Sequence, residues 1–414
     1  MSPFRIVIAG GGIAGLTAAI ALRGPNRHIT VLEQSSLNKE IGALVSLQPN
    51  ASKIIQSSWG LKNELHGARE MVDEGFRIYN TDGKLVNTIP LLARTIYGSE
   101  RLLFHRRDLH DVLKEAAVSP NRKGEPAVLR VASRVVGCDA VAGIVALEDG
   151  ERIEADLIIG ADGIVLRKHV LDSEPCAMPT GHSAYRLMIP TKILEEKEPE
   201  FCAKINPRDP FTSMIVAHDC RLVMGPGRQG EVYGIVALVP DDQMNEDPHA
   251  KHSWVSKGDL EKMLKTFADF PTWVTEIFKH SPDLGLWQLR DLDPLTNWHH
   301  GRLILIGDAA HAMLPTQGQG ASQAIEDSEA LGAFFEGVTE APSFHALTET
   351  LEKEQNIFQT RYARVSLIQA YSRQAAKPAT DKGAKLVKMK PDEFMDYNCK
   401  YSGAKQWRLE QLAN

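Results

Sequence analysis

The chain has few cysteines, no long apolar run and no large excess of charge of either sign. Its five cysteines among 414 residues are scattered, which predicts reduced thiols rather than a disulfide framework or a zinc site. No apolar run reaches the ~18 residues typical of a membrane-spanning helix. The net charge of −6 offers no basic surface for nucleic acid. We therefore predict a cytoplasmic protein for small molecules, with no metal site, no membrane span and no nucleic-acid partner.

A glycine-rich turn near the N-terminus is the most informative stretch. Apart from Arg5, residues 4–9 form an apolar run of strand length, and an Ala-rich apolar helix is predicted from Ile13 onward. Between them lies Gly10-x-Gly12-x-x-Gly15, in the strand–turn–helix context that a dinucleotide fingerprint requires. One glycine makes the turn, one lets a pyrophosphate approach the backbone, and one lets helix and strand pack closely. The pattern predicts a dinucleotide at this helix N-terminus.

A second predicted strand, residues 28–33, ends on Glu33. An acid at the end of that strand suits a ribose hydroxyl of the dinucleotide. In the loop that follows, Gly42 would let the backbone approach a ligand. These residues do not distinguish FAD from NAD, so the identity of the dinucleotide stays open at this point.

Two later apolar strands also end on small residues and an acid. One runs into Ala161-Asp162-Gly163 and the other into Gly307-Asp308. Between them, from about residue 174, prolines separate short β-type runs without helices, which predicts an antiparallel sheet. Because open α/β sheets bind ligands at the carboxyl ends of their strands, the three strand ends should meet at one site.

Together these motifs resemble those of the class A flavoprotein monooxygenases, the para-hydroxybenzoate and fungal salicylate hydroxylase-like family, over nearly the whole chain. The resemblance implies an α/β fold: a Rossmann-like FAD-binding domain of the glutathione-reductase type, an inserted antiparallel β-sheet substrate domain and a C-terminal helical segment. The predicted parts are FAD-binding segments 1–73, 101–173 and 291–342, a substrate-domain hairpin 74–100, the substrate domain proper 174–290 and the helical region 343–414.

The resemblance also implies that the dinucleotide is FAD and that NAD(P)H is a co-substrate. Arg106 would reach the flavin side of the cofactor, Asp162 would help hold FAD and meet NAD(P)H, and Asp308 would bind the ribityl chain. A helix N-terminus at the isoalloxazine would stabilise negative charge on the reduced flavin. The residues assigned to the cofactor are Gly10, Gly12, Ala14, Gly15, Glu33, Gln34, Gly42, Ala43, Arg106, Asp162, Gly307, Asp308, Pro315, Gly318, Gln319, Gly320 and Ala321.

The implied reaction inserts one oxygen atom from O₂ into an electron-rich aromatic substrate, a phenol, phenolic acid or indole, by hydroxylation or epoxidation through a flavin C4a-hydroperoxide. A role in secondary metabolism and a monomeric or homodimeric state are expected. Because the cofactor performs the difficult chemistry, the protein must orient the substrate and exclude water. Arg186 would orient a phenolate or carboxylate by paired hydrogen bonds. Tyr233 is a second pocket candidate, and Pro315 would lie beside the flavin ring.

Three alternatives remain open. A flavin-dependent halogenase shares the fold, but the six tryptophans are isolated, so its Trp-x-Trp-x-Ile-Pro motif is absent. An NAD-dependent dehydrogenase would fit the first glycine motif but not the Gly307-Asp308 segment. A flavin-binding protein without oxygen insertion, or without enzymatic activity, is the third. The segment 164–168 lacks the family's usual Ser, a departure that concerns NAD(P)H engagement. Ser322 stands where Asn is usual and places a smaller polar group beside the flavin.

Overall fold

The computed structural model describes residues 2–37, 43–163, 165–171, 177–247, 255–352, 357–377 and 387–413. The strands, in chain order, are β1 Phe4–Ala9, β2 Arg27–Leu32, β3 Leu44–Leu47, β4 Met71–Val72, β5 Gly75–Tyr79, β6 Leu85–Pro90, β7 Leu102–His105, β8 Val128–Arg130, β9 Val135–Asp139, β10 Ile144–Leu147, β11 Arg152–Glu154, β12 Leu157–Gly160, β13 Met178–Pro190, β14 Phe211–Val216, β15 Arg221–Gly227, β16 Val232–Pro240, β17 Val255–Lys257, β18 Leu284–Asp291, β19 His299–His300 and β20 Leu303–Leu305. The α-helices are α1 Ile13–Leu22, α2 Pro49–Lys53, α3 Lys62–Gly67, α4 Ala93–Tyr97, α5 Arg106–Val118, α6 Thr191–Lys197, α7 Pro199–Lys204, α8 Leu260–Thr266, α9 Thr272–Thr275, α10 Asp308–His311, α11 Gly320–Phe334, α12 Phe344–Glu352, α13 Ile357–Ala376, α14 Pro391–Cys399 and α15 Ala404–Ala413.

A six-stranded sheet in the order β19–β20–β12–β1–β2–β8 brings the three predicted strand ends together. All its pairs are parallel except β19–β20. Its central strand β1 is buried on both faces, because Ile6 and Ile8 join one hydrophobic cluster while Val7 and Ala9 join another. Burial on both faces explains why residues 6–9 form a continuous apolar run instead of alternating with polar residues.

An eight-stranded sheet, in the order β17–β18–β13–β16–β15–β14–β5–β6, forms the second layer. Neighbouring strands are antiparallel except β14 and β5, which are parallel. The hairpin β5–β6 comes from an earlier part of the chain, which is why one pair departs from the predicted antiparallel pattern. On β13, Tyr185 and Leu187 pack against helices α6 to α9, whereas Ala184 packs against Leu314 beyond α10. One face of this sheet therefore carries a helical layer, and the other contacts the loop that follows α10.

Two small antiparallel sheets, β11–β10–β9 and β3–β7–β4, complete the β structure. The helix α13 spans both layers, since Arg361 near its start is hydrogen-bonded to α11 and Arg221 of β15 donates to the carbonyl of Ala375 near its end, at 2.7 Å. Within the described ranges, no helix combines the length and apolar character needed to cross a bilayer. The predicted fold class is confirmed, and the domain boundaries stay a prediction.

Candidate active site

The three fingerprint glycines differ in what surrounds them. Gly10 has φ +107°, and a Cβ there would lie 2.4 Å from the carbonyl oxygen of Ala161. A Cβ on Gly15 would lie 1.9 Å from the carbonyl oxygen of Gly10. Gly12, which precedes α1, has no atom within 4 Å of that position. Two glycines are therefore required by packing, and Gly12 leaves open the space that a pyrophosphate would need.

Two side chains hold the glycine turn from opposite sides. Glu33 accepts the N–H groups of Gly11 and Ser35, each at 2.8 Å. His110 donates its Nε2–H to the carbonyl oxygen of Gly11 at 2.7 Å. Sequence reasoning missed His110, although it lies four residues after Arg106 and so on the same face of α5. The ribose role of Glu33 stays a prediction.

A cavity of about 340 Å³ runs from this turn to the eight-stranded sheet. Its lining residues are Gly11, Gly12, Glu33, Ser35, Leu37, Ala43, Arg106, His110, Arg186 and Trp287. Five of them belong to the predicted site. Gly42 lies outside the described residues, and Gln34 is exposed just after β2.

A larger cleft of about 510 Å³ lies elsewhere, near the end of β18. Its Arg373 is already engaged by Asp291 and Asp293, so among the described residues that line this cleft no Lys or Arg is left without an ionic partner.

Arg186 is the cation at the sheet end of the 340 Å³ cavity. Its Nε has no hydrogen-bond partner among the residues that the structure describes. Its guanidinium lies 4.8 Å from the ring centroid of Trp287, and that indole folds over Gly285, where a Cβ would come within 2.0 Å of it. Burial lowers the pKa of Arg186, and the nearby charge of Arg106 lowers it further. A buried N–H without a partner is costly, so this position suits an anionic ligand.

Tyr233 does not share this cavity. The strand register pairs Arg186 with Val236 and Ile189 with Tyr233, and residues three apart on a strand point to opposite faces. Tyr233 is only 1% exposed and packs edge-on against Phe201 of α7, at 5.5 Å between ring centroids. The prediction that Tyr233 lines the substrate pocket is therefore wrong, because its side chain belongs to the core behind the sheet.

Asp162, of the Ala161-Asp162-Gly163 motif, caps the segment that follows this motif. One oxygen, Oδ2, accepts the N–H groups of Val165 and Leu166 at the start of a 3₁₀ turn, Leu166–His169. The other, Oδ1, is buried without a hydrogen-bond partner in the described part of the chain. Burial raises the pKa of Asp162 despite those backbone hydrogen bonds. The unpartnered oxygen leaves Asp162 able to accept a hydrogen bond from a ligand, and its cofactor role stays a prediction.

The third motif is the Gly307-Asp308 segment, which follows β20 and contains an exposed acid. Gly307 has φ +56° and ψ −142°, and a Cβ there would lie 2.8 Å from the Cβ of Ala14, so the first and third motifs touch. The side chain of Asp308, which follows, is exposed. It accepts no hydrogen bond from the described residues. Buried Arg167, which the sequence did not single out, donates to the carbonyl oxygens of Asp308 and Ala309 at 2.6 and 2.8 Å.

The loop before α11 contains the remaining predicted cofactor residues. Pro315 is exposed and opens a 3₁₀ turn, Pro315–Gln317. Gly318 has φ +59°, and a Cβ there would lie 2.8 Å from the Oγ of Ser46. Gly320 begins α11, and a Cβ there would meet no atom within 4 Å. The first turn of α11 contains no acid, so its N–H groups and positive dipole end can stabilise negative charge.

Around that N-terminus the backbone is fixed by buried polar groups. Gln319 accepts from the side-chain amide of Gln323 at 3.1 Å, and Ala321 is half-buried beside it. Ser322 accepts the N–H of Gln48 at 3.1 Å. Ser322 thus has a structural partner at the position where Asn is usual in the resembling family.

These surroundings fit FAD. The open space at Gly12 and Gly320, the free carboxylate of Asp308 and the unpartnered donor of Arg186 are the features that a dinucleotide and its ring system would use. No group of three or more His, Cys, Asp or Glu side chains among the described residues could hold a metal ion.

The comparison with known families decides the identity. The profile of the FAD binding domain family matches residues 4–364. The chain belongs to this family. The flavoprotein is 31% identical over 381 residues to 3-hydroxybenzoate 6-hydroxylase 1 of Aquipseudomonas alcaligenes, which covers 90% of this chain and 88% of that protein. It is 29% identical to hispidin-3-hydroxylase of Neonothopanus nambi, over 85% of this chain and 86% of that one.

A solved salicylate hydroxylase substrate complex has the same fold as this flavoprotein. The TM-score is 0.75 at 27% identity, covering 99% of this chain and 98% of that one. The predictions of an FAD-dependent monooxygenase, with FAD as cofactor and NAD(P)H as co-substrate, are confirmed. The assignment of individual residues to these ligands stays a proposal.

Proposed function

We propose that this flavoprotein inserts one oxygen atom from O₂ into an electron-rich aromatic compound that carries a phenolate or carboxylate. The observation that carries the proposal is Arg186, a buried guanidinium with an unpartnered Nε, in the cavity that continues to Gly12 and Arg106. Guanidinium groups bind carboxylates and phenolates through charge-assisted hydrogen bonds. The names of two relatives, 3-hydroxybenzoate 6-hydroxylase and salicylate hydroxylase, contain aromatic acids, which supports the same substrate class.

Bound FAD supplies the redox chemistry, since it accepts electrons from NAD(P)H and activates O₂. The protein supplies binding and orientation. Gly12 and Asp308 would hold the pyrophosphate and ribityl parts, and the N-terminus of α11 would stabilise negative charge near Gly318 and Gly320. Arg186 would fix the substrate through its anionic group. The apolar contact of Leu314 with Ala184 and Val236 joins the loop to the sheet and excludes water from this region.

The test compares a phenolic acid with its neutral amide as substrates of the wild-type enzyme and of Arg186→Gln. Removing one charge-assisted interaction costs about 1.5–3 kcal/mol, so kcat/KM for the acid should fall roughly 10- to 150-fold. The preference for the acid over the amide should disappear with it. Arg107→Gln is the matched control, because Arg107 is an exposed arginine of α5 that pairs with Asp111. Its selectivity should equal that of the wild type.

Flavin absorbance of each variant is measured alongside, so that loss of substrate binding is distinguished from loss of FAD. An Arg186→Gln enzyme that keeps its flavin and still prefers the acid contradicts the proposal. Equal turnover of acid and amide by the wild-type enzyme also contradicts it.

We further propose a role in secondary metabolism, a cytoplasmic location and a monomeric or homodimeric state. The cysteines that the structure describes form no disulfide, which supports a reducing compartment. Edge strand β6 exposes Leu85, Val86 and Ile89. Large apolar side chains on an edge strand are usually covered, which favours the homodimer.

A further inference from the structure

A cluster of four buried charges lies between α11 and α13, behind the Gly307–Asp308 turn. Glu326 and Asp327 come from α11, Arg361 and Arg364 from α13, and the side chains of Glu326, Asp327 and Arg361 are 0% exposed. Arg361 donates to Asp327 Oδ1 at 2.9 Å and also to Glu326. Arg364 donates to both oxygens of Glu326, at 2.7 and 2.8 Å. Two carboxylates thus face two guanidinium groups, as burial of charge requires.

Asp327 also has an oxygen directed away from this cluster. Its Oδ2 accepts the backbone N–H of Gly307 at 3.0 Å and the Nε2–H of His311 at 2.6 Å. Burial would raise the pKa of Asp327, but His311 and Arg361 outweigh it and hold the pKa at about 2. One ionised carboxylate therefore joins the buried cluster to the turn that carries Asp308.

The same turn is held on its other side. Arg167 donates to the carbonyl oxygens of Asp308 and Ala309, whereas Asp327 takes the N–H of Gly307. The turn also requires glycine at residue 307, because φ +56° with ψ −142° is a backbone conformation that residues with a Cβ rarely adopt. The backbone of the turn is hydrogen-bonded at Gly307, Asp308 and Ala309, and the carboxylate of Asp308 is left exposed.

We propose that Asp327 is a positioning residue, which fixes the Gly307–Asp308 turn so that the Asp308 carboxylate meets FAD. The inference rests on the proposed assignment of Asp308 to the cofactor site. Asp327 is fully buried behind the turn, so its influence on FAD has to pass through its hydrogen bonds to Gly307 and to His311 of α10. Loss of Asp327 should therefore weaken FAD binding in a protein that has Asp308, but not in one in which Asp308 has been replaced by Ala.

A double-mutant cycle tests this dependence on the full-length protein. FAD affinity is measured by fluorescence titration of the apoprotein for the wild type, Asp308→Ala, Asp327→Asn and the double variant. Each single change should weaken FAD binding about 10- to 150-fold, as expected for one hydrogen bond to a charged group. The double variant should bind no more than about 3-fold more weakly than Asp308→Ala, because coupled residues are not additive.

Asp73→Asn is the matched control. Asp73 is another buried acid that accepts a backbone N–H, from Gly75, and bonds to Thr212 and Arg101, but none of these partners belongs to the Gly307–Asp308 turn. This variant should lose stability and keep the wild-type affinity for FAD within about 2-fold. Should Asp327→Asn fail to fold, Asp327→Glu retains the charge, displaces the acceptor oxygen and enters the same cycle.

Two results would overturn the inference alone: wild-type FAD affinity in both Asp327 variants, or multiplicative losses in the double variant. The latter would mean that Asp327 acts independently of Asp308. A different result, wild-type affinity in Asp308→Ala, would overturn the assignment of Asp308 and the inference with it. The affinity of Asp308→Ala thus separates the two failures.

Discussion

Gly10→Ala should mainly lower the stability of the protein, whereas Gly12→Ala should mainly weaken FAD binding, although both glycines belong to one fingerprint. At Gly10 a Cβ would meet the carbonyl oxygen of Ala161 at 2.4 Å, and φ is +107°. At Gly12 a Cβ would meet no atom within 4 Å, and φ is −76°. The first change should therefore damage the fold, and the second should fill only the space of the ligand.

The magnitudes follow from these two environments. A left-handed backbone costs a residue with a Cβ about 1–2 kcal/mol, and forcing a methyl group into a packed site costs about 1–3 kcal/mol. Gly10→Ala should therefore lower the free energy of unfolding by about 2–5 kcal/mol. Gly12→Ala changes the residue before a helix and should cost at most about 1 kcal/mol. Its Cβ would occupy the approach of the pyrophosphate to the backbone, so FAD affinity should fall at least about 10-fold.

The assay is denaturant unfolding of both apoproteins, followed by FAD titration. Saturating FAD should raise the unfolding midpoint of the wild type and should raise that of Gly12→Ala much less. Wild-type stability in Gly10→Ala would refute the packing argument. Wild-type FAD affinity in Gly12→Ala would refute the placement of the pyrophosphate.

Two further predictions concern Tyr233 and Asp327. Because the ring of Tyr233 belongs to the core, Tyr233→Phe should keep kcat/KM within about 2-fold, and Tyr233→Ala should lower the free energy of unfolding by about 3–5 kcal/mol. Steady-state kinetics test the first variant and urea unfolding the second. A large loss of kcat/KM in Tyr233→Phe would mean that this residue does line the substrate pocket. The pKa of Asp327 in the folded protein, about 2, lies below its ordinary value of 3.8. The ionised carboxylate therefore adds about 2 kcal/mol to the free energy of unfolding above pH ~4, and this contribution is lost as the pH falls toward 2. Urea unfolding of Asp327→Asn should therefore depend less on pH across this window than unfolding of the wild type, and equal pH dependence would contradict this pKa.

The sequence alone determined the elements that depend on short-range pattern. The apolar run before Gly10, the spacing of the glycines and the Gly307-Asp308 segment are properties of neighbouring residues, and backbone geometry restricts what such neighbours can form. The family resemblance then placed three distant motifs at one cofactor, and the parallel sheet does bring their strand ends together. Gly12, Glu33, Ala43, Arg106 and Arg186, which the motifs and the resemblance predicted, all line the 340 Å³ cavity.

Only the tertiary structure decided which side of a sheet a residue faces and which charges are buried. Arg186 and Tyr233 both lie on strands of similar composition, and the pairing of β13 with β16 alone separates cavity from core. Arg167 and Asp327 look like surface residues in the sequence, because the groups that compensate their charge lie far along the chain. Which strands pair and which charges compensate one another depend on residues far apart in the chain, and a shift of register by one residue would move each side chain to the other face of the sheet.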